Sequence, residues 1–159
     1  MSDLQAPLAR DGEGFALRLS PGERDLLRGL CGQLRELLRD ADPSGDPAIA
    51  RLFPAAYPDD PLRSLDFERG AGSGLVADRL AAVDLVETTV AAEHLSEDEV
   101  MAWLGSVSAL RLVLGTRLAI TEETTEADYP EGNPDLDTYG MYLYLTWLEA
   151  GIVEGLSGE

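Results

Sequence analysis

The sequence predicts a mainly α-helical fold, a compact four-helix bundle-like single domain with a short N-terminal strand and a long crossover loop. Four segments carry apolar residues at three- and four-residue steps, the spacing that aligns them on one face of a helix. The chain has 159 residues, 45% of them hydrophobic, which is enough for one core. We expect residues 1–13 to form a flexible N-terminal segment and residues 14–157 a single helical domain.

A short strand is predicted ahead of the first helix. Residues 15–19, Phe-Ala-Leu-Arg-Leu, alternate in part between apolar and polar side chains. This pattern is typical of a half-buried strand or of an extended arm that lies on the core. A strand needs a partner, and the candidate partner in the sequence lies near residues 65–67.

The first long helix has a start signal with a physical mechanism. Ser20 and Glu23 can form a capping box, in which each side chain accepts the other residue's backbone N–H. We expect the helix to end near Asp40. Its apolar stripe consists of Leu27, Leu30, Leu34, Leu37 and Leu38.

Residues 41–74 are rich in Pro, Gly and Asp and should form a connection long enough to cross over the end of the bundle. Residues 49–58 within it are too apolar for a free linker. We expect Leu52, Phe53 and Tyr57 to dock on the core. A second helix is predicted from about Leu75 to Glu93.

The third helix has the clearest signature in the chain. Ser96 and Glu99 form a second capping box, and Leu95 with Val100 forms a hydrophobic staple around it. Apolar residues follow at helical spacing to about Ile120. Residues 121–136 then form an acidic loop.

The last helix is predicted from about Asp137 to Leu156. Residues 139–148 are apolar or aromatic on nearly every side. A helix of this kind lies either in the centre of a fold or against a second subunit. Both arrangements remain open, and the second predicts a homodimer through the C-terminal helix.

The charge of the chain bears on its partners. Thirty acidic residues face twelve basic residues, all of them arginine, for a formal net charge of -18. Nucleic-acid binding requires a basic surface that attracts the phosphate backbone, so direct binding to DNA or RNA is disfavoured. The acidity serves solubility or steers the protein toward basic partners.

The compartment is predicted from the cysteine count and from the apolar runs. Cys31 is the single cysteine, so an internal disulfide is excluded. Residues 1–14 lack the basic and apolar segments of a signal peptide. No apolar run approaches the roughly 20 residues that span a bilayer. We expect a cytoplasmic protein without a membrane partner.

The sequence offers no recognisable catalytic or metal-binding motif. His94 is the single histidine, and we expect it to cap the end of the second helix. The acidic loop lacks calcium-loop spacing, and the glycines of residues 70–74 lack the lysine of a phosphate-binding loop. We predict no catalytic residues, no metal ligands and no cofactor, and we expect a protein that is not an enzyme.

Three residues admit both a structural and a functional interpretation. Cys31 lies near the first apolar stripe, as a core residue or as a redox-active thiol flanked by arginines. Arg111 and Arg117 lie in an otherwise apolar run. They either pair with an acid on the second or fourth helix or form a cationic site that faces a partner.

Two motifs resemble a known family. Residues 51–61 read Arg-Leu-Phe-Pro-Ala-Ala-Tyr-Pro-Asp-Asp-Pro. Residues 102–104, Ala-Trp-Leu, are followed by Leu-Arg-Leu-Val-Leu-Gly-Thr-Arg-Leu at 110–118. With the capped first helix and the terminal Trp-Leu helix, these motifs resemble the DUF2017 family of actinobacterial proteins across residues 14–156.

The resemblance implies a regulatory role. Some members of the family are described as oxidative-stress transcriptional regulators of the AosR type, which act redox-dependently through a sigma factor. Members are also encoded beside a Clp protease adaptor. The leading hypothesis is therefore a non-enzymatic regulator that contacts a sigma factor or the transcription machinery, and the alternative is an accessory protein of the Clp system. The candidate residues are Cys31 for redox activity and, for partner binding, Arg51, Phe53, Tyr57, Arg111 and Arg117.

Overall fold

The computed structural model describes residues 6–39 and 73–158. They form four α-helices: α1 (Pro21–Arg39), α2 (Ser73–Thr89), α3 (Glu97–Arg117) and α4 (Leu136–Ser157). A short antiparallel sheet contains β1 (Leu8–Asp11), β2 (Gly14–Leu17) and β3 (His94–Leu95), in that order. The mainly helical class is confirmed. The predicted crossover falls outside the described residues except at its end, where α2 begins.

The strand predicted at residues 15–19 is present, and its described partners are β1 and β3. Phe15 pairs with Arg10 on one side and with Leu95 on the other. The partner predicted near residues 65–67 lies outside the described residues. Part of the segment expected to be flexible also forms β1, because Leu8 is buried and the strand gains a full antiparallel ladder.

Both predicted capping boxes are present. The Ser20 N–H donates to Glu23 Oε1 at 3.0 Å, and the Glu23 N–H donates to Ser20 Oγ at 3.2 Å. Ser96 and Glu99 make the same exchange at 2.8 Å and 3.2 Å. Each box satisfies backbone donors that the first turn of a helix leaves unpaired. The starts of α1 and α3 are therefore encoded locally.

Successive helices pack against each other, and the buried side chains between them form the core. The helix α1 packs against α2, and Arg35 near the end of α1 pairs with Asp84 and Glu87 at 2.5 Å and 2.6 Å. The core includes Trp103, whose indole N–H donates to the Thr89 hydroxyl at 2.8 Å. That bond gives the polar end of a fully buried indole the partner it requires.

Helix α2 ends at Thr89, four residues earlier than the sequence indicates. His94 consequently lies in β3 rather than at a helix terminus, and its Nε2 is 2.9 Å from Asp11 Oδ2. The expectation that His94 caps the second helix is therefore wrong. The backbone turns there because β3 pairs with β2, which the apolar spacing of α2 does not reveal.

Two glycines allow β1 and the residue before it to lie directly on α4. A Cβ at Gly155 would be 2.8 Å from the backbone oxygen of Leu8, and a Cβ at Gly151 would collide with Pro7 Cγ. Separations under 3.0 Å require one of the elements to move. The Gly151 and Gly155 pair thus sets the distance between the sheet and the last helix.

We expect Gly155→Ala to lower the free energy of unfolding by about 2 kcal/mol, because the methyl group collides with backbone that cannot rotate away. Urea unfolding followed by tryptophan fluorescence measures the change. Gly140→Ala is the matched control on the same helix, since a Cβ there meets open space. It should add roughly 0.5–1 kcal/mol through helix propensity alone. Equal effects of the two substitutions would contradict the close contact.

In the part of the chain that the structure describes, no helix combines the length and the apolar character needed to cross a membrane.

Candidate functional site

The C-terminal end of α3 closes in a Schellman motif. The Ile120 N–H donates to the Gly115 carbonyl at 2.9 Å, and the Ala119 N–H donates to the Thr116 carbonyl at 3.1 Å. This pattern requires a left-handed residue, and Ala119 takes that position with φ of 55°. The helix therefore ends three residues before the predicted Ile120, and the chain turns back toward α4.

Ala119→Gly should raise the free energy of unfolding by about 0.5–1 kcal/mol, because glycine adopts a positive φ without the cost that a Cβ imposes. Ala150→Gly provides the control, since Ala150 is an exposed residue inside α4. The same substitution there should lower the free energy of unfolding by about 1 kcal/mol. Urea denaturation of both variants gives the comparison, and a loss of stability in Ala119→Gly would contradict the strain.

Arg111 lies where α3 and α4 face each other. Its Nε donates to the Thr146 hydroxyl at 2.7 Å, and its guanidinium lies over the Tyr142 ring at 5.1 Å from the centroid. Its Nη1 is 3.8 Å from Glu149 Oε1, the acid on the fourth helix that the first interpretation requires. The other oxygen of Glu149 accepts a hydrogen bond from Ser108. Arg111 is therefore held in place, yet only loosely paired.

The other predicted partner-binding residues are not brought to this place by the described structure. Arg117 is exposed in the last turn of α3, six positions after Arg111. Arg51, Phe53 and Tyr57 lie outside the described residues. The proposed involvement of these five arginine and aromatic residues in partner binding stays a prediction.

Cys31 lies on the buried face of α1, with 1% of its surface exposed. The pKa of its thiol is raised to about 12, first because burial penalises the thiolate and second because the Glu87 carboxylate is near. The Arg35 guanidinium acts in the opposite direction but is itself paired with Glu87 and Asp84. The arginine that could have activated the thiol is thus neutralised, and the geometry favours the core role of Cys31.

One face of the last helix, α4, is buried in the core, and the opposite face is exposed to solvent. Leu145 and Leu148 are fully buried, whereas Leu143 and Trp147 are 41% and 37% exposed. The exposed pair lies one helical turn apart, so it forms one apolar strip on the outer face of α4. The nearly uniform apolar sequence of this helix therefore serves the core and also leaves an apolar strip at the surface.

The strongest anchor that sequence reasoning missed is Arg24. Its guanidinium donates to the backbone carbonyls of Val90 and Ala92, both at 2.7 Å, and also to those of Leu19 and Leu17. It thereby joins α1 to the end of α2 and to the end of β2. Arg24 lies off the apolar stripe of α1, and partners 66 and 68 residues away leave no local signal in the sequence.

Comparison with known proteins finds relatives that align with nearly the whole chain. A protein of Mycobacterium tuberculosis named "Oxidative stress regulator AosR" is 30% identical over 187 aligned positions, which cover 94% of this chain and 85% of that protein. The protein of the same name from Mycobacterium bovis matches to the same extent. No solved structure matches the chain at a significant level.

The family model described as "Domain of unknown function (DUF2017)" matches residues 5–156. That range includes all three strands and all four helices of the described structure except Ser157, the last residue of α4. The family expected from the motifs around residues 51–61 and 102–118 is confirmed, and the chain belongs to the DUF2017 family.

Proposed function

We propose that the protein is a non-enzymatic regulator that acts through protein–protein contacts, as a transcriptional regulator linked to oxidative stress that contacts a sigma factor or RNA polymerase. The observation that carries this proposal is the similarity, along 94% of the chain, to a protein named for the regulation of oxidative stress. The alignment covers nearly the whole chain, so the similarity is not confined to one helix or motif.

Two properties of the molecule support a role through protein contacts. The apolar strip of Leu143 and Trp147 on α4 is exposed in the described structure, and exposed aromatic side chains are enriched where proteins bind proteins. The net charge of -18 repels a phosphate backbone and attracts basic surfaces. Regulation by holding a protein of the transcription machinery therefore fits the chain better than regulation by binding a promoter.

The buried state of Cys31 constrains how an oxidant could act on this protein. A thiol that is inside the core and has a raised pKa presents almost no thiolate to peroxide. We therefore propose that oxidation is sensed by the partner, and that this chain supplies the binding surface. An internal disulfide is excluded by the single cysteine.

An affinity pull-down from host lysate, with and without peroxide, tests the proposal. We expect mass spectrometry to identify a sigma factor or a polymerase subunit, and we expect Cys31→Val to leave its recovery and peroxide response unchanged. Recovery of Clp components in its place would contradict the proposal and support the proteolysis accessory. A peroxide response that Cys31→Val abolishes would assign the sensor to this chain.

Matched surface variants locate the contact. Leu143→Glu places a charge in the apolar strip, whereas Met101→Glu makes the same kind of change at a residue of α3 that is 52% exposed. We expect only Leu143→Glu to abolish recovery of the partner. Loss with both variants, or with neither, would contradict the assignment of the contact to α4.

Light scattering tests whether the apolar strip on α4 binds a second copy of this chain or a different protein. A monomer mass for the purified protein is expected, because two chains of charge -18 repel each other. A dimer mass that Leu143→Glu converts to a monomer mass would show instead that the strip is covered by a second copy, as the homodimer hypothesis requires.

A further inference from the structure

A cleft of about 360 Å³ opens between the end of α3, the turn that follows it and the first half of α4. Its polar lining includes Arg111 and Tyr142, and its apolar lining includes Leu112 and Ile120. The volume lies within the usual range for small-molecule sites, which are mostly apolar with a few fixed polar groups. The cleft therefore has the volume of a small-molecule site, with polar and apolar side chains on its walls.

Arg111 brings unused hydrogen-bond donors to this cleft. A guanidinium has five N–H groups, and the described structure engages one of them, through Thr146. The 3.8 Å between Nη1 and Glu149 is too long for a hydrogen bond, because that carboxylate is engaged by Ser108. Arg35 shows the contrast, since its donors bind Asp84 and Glu87 at 3.0 Å or less.

Tyr142 is fixed beside these donors. Its ring packs over the backbone of α3, where a Cβ at Gly115 would be 3.1 Å from Tyr142 Cε1. The same ring carries the Arg111 guanidinium on its face. Among the described residues, none receives a hydrogen bond from the Tyr142 hydroxyl or gives one to it. The cleft thus holds a positioned guanidinium and a positioned ring with an uncommitted hydroxyl.

A larger cleft, of about 510 Å³, contains an arginine that is already engaged by the fold. It is lined in part by Arg24, whose guanidinium is already bonded to four backbone carbonyls. A ligand anion there would have to displace contacts that hold the fold together. The cleft beside Arg111 imposes no such cost.

We propose that the cleft between α3 and α4 binds a small organic carboxylate with an apolar tail. The carboxylate accepts hydrogen bonds from the Arg111 guanidinium and the Tyr142 hydroxyl, and the tail lies against Leu112 and Ile120. Planar two-point pairing with a carboxylate is the geometry that arginine provides best. A monoanion is favoured over a phosphate dianion, because Glu149 is near and the protein carries a net charge of -18.

The test is a titration of the full chain with phenylacetate, followed by NMR shifts of the Arg111 Nε–H and of the backbone amides of α3 and α4. Phenylacetamide is the matched neutral probe, and inorganic phosphate is the anion without a tail. We expect saturable shifts at Arg111 and Tyr142 with phenylacetate only. No saturable shift with phenylacetate, or equal shifts with the amide, would overturn the proposal without the need for any variant.

Substitutions then assign the contact. Arg111→Gln keeps a donor for Thr146 but removes the charge, and should weaken phenylacetate binding about tenfold or more. Tyr142→Phe keeps the ring and should weaken it roughly threefold to tenfold. Arg28→Gln is the charge-matched control on the exposed side of α1 and should leave the affinity unchanged. Equal affinity in Arg111→Gln and the unmodified chain would overturn the proposal.

The cleft proposal is independent of the proposed regulatory function. If the pull-down recovers no transcription protein, the phenylacetate titration still tests the cleft. If phenylacetate does not bind, the pull-down still tests the regulatory function.

Discussion

Arg24→Met should lower the free energy of unfolding by about 3 kcal/mol, which is the largest loss we expect from a single substitution outside the apolar core. Methionine preserves most of the aliphatic stem but removes every N–H. The carbonyls of Val90 and Ala92 then lose donors at 2.7 Å in a half-buried position, and those of Leu17 and Leu19 lose weaker bonds. Circular dichroism during urea unfolding measures the loss.

Arg28→Met is the matched control for this prediction. Arg28 lies one turn further along α1, is 51% exposed and, among the residues that the structure describes, pairs with Asp25 three residues earlier. Both substitutions remove one positive charge from a chain of charge -18, so the change in overall repulsion is the same in both. An exposed pair of this kind contributes about 0–1 kcal/mol, so the control should be nearly as stable as the unmodified chain. Similar midpoints for the two variants would contradict the anchoring role of Arg24.

The elements that are encoded by neighbouring residues were predictable from the sequence. Ser20 with Glu23 and Ser96 with Glu99 form their capping boxes within four residues, so the starts of α1 and α3 follow from local chemistry. Four leucines of the predicted α1 stripe are buried, and the fifth, Leu37, is partly buried against the same core. Helix ends were less accurate, since Thr89 and Arg117 end their helices through turns that depend on distant strands or on a left-handed alanine.

The sheet and the cleft could not be derived from spacing. The strand β1 contains one buried side chain, Leu8. It is stabilised by its pairing with β2 and by its close approach to α4, which Gly151 and Gly155 permit because they lack a Cβ. Arg111 was identified because an arginine in an apolar run needs an explanation. Its neighbours Tyr142 and Thr146 come from a helix 31 to 35 positions away in sequence, and only the packing of α3 on α4 brings them to it.

The Cys31 thiol should react with a disulfide reagent about a thousandfold more slowly in the folded protein than in the unfolded chain. The pKa of the thiol is raised from 9.0 to about 12. At pH 8 this lowers the thiolate fraction from about one tenth to about one ten-thousandth, and only the thiolate attacks. Cys31 is 1% exposed, so restricted access slows the reaction in the same direction as the raised pKa.

The raised thiol pKa also predicts how stability changes in alkali. A thiol whose pKa is higher in the folded state than in the unfolded state stabilises the fold fully below about pH 9, and this stabilisation is lost as pH rises toward about 12. Cys31→Ala should therefore show a shallower loss of stability over that range than the unmodified chain, although it is less stable at neutral pH because it leaves a small cavity.

The difference in reactivity is measured with Ellman's reagent at pH 8. The folded protein is compared with protein unfolded in guanidinium at about 6 M. Ser157→Cys in the Cys31→Ala background provides an exposed thiol on the same protein, since Ser157 lies on the surface at the end of α4. It should react at nearly the rate of an unfolded thiol. A native Cys31 that reacts within tenfold of this control would mean that α1 opens readily from α2. In that case the redox step would belong to this chain, and the proposal that the partner senses the oxidant would be wrong.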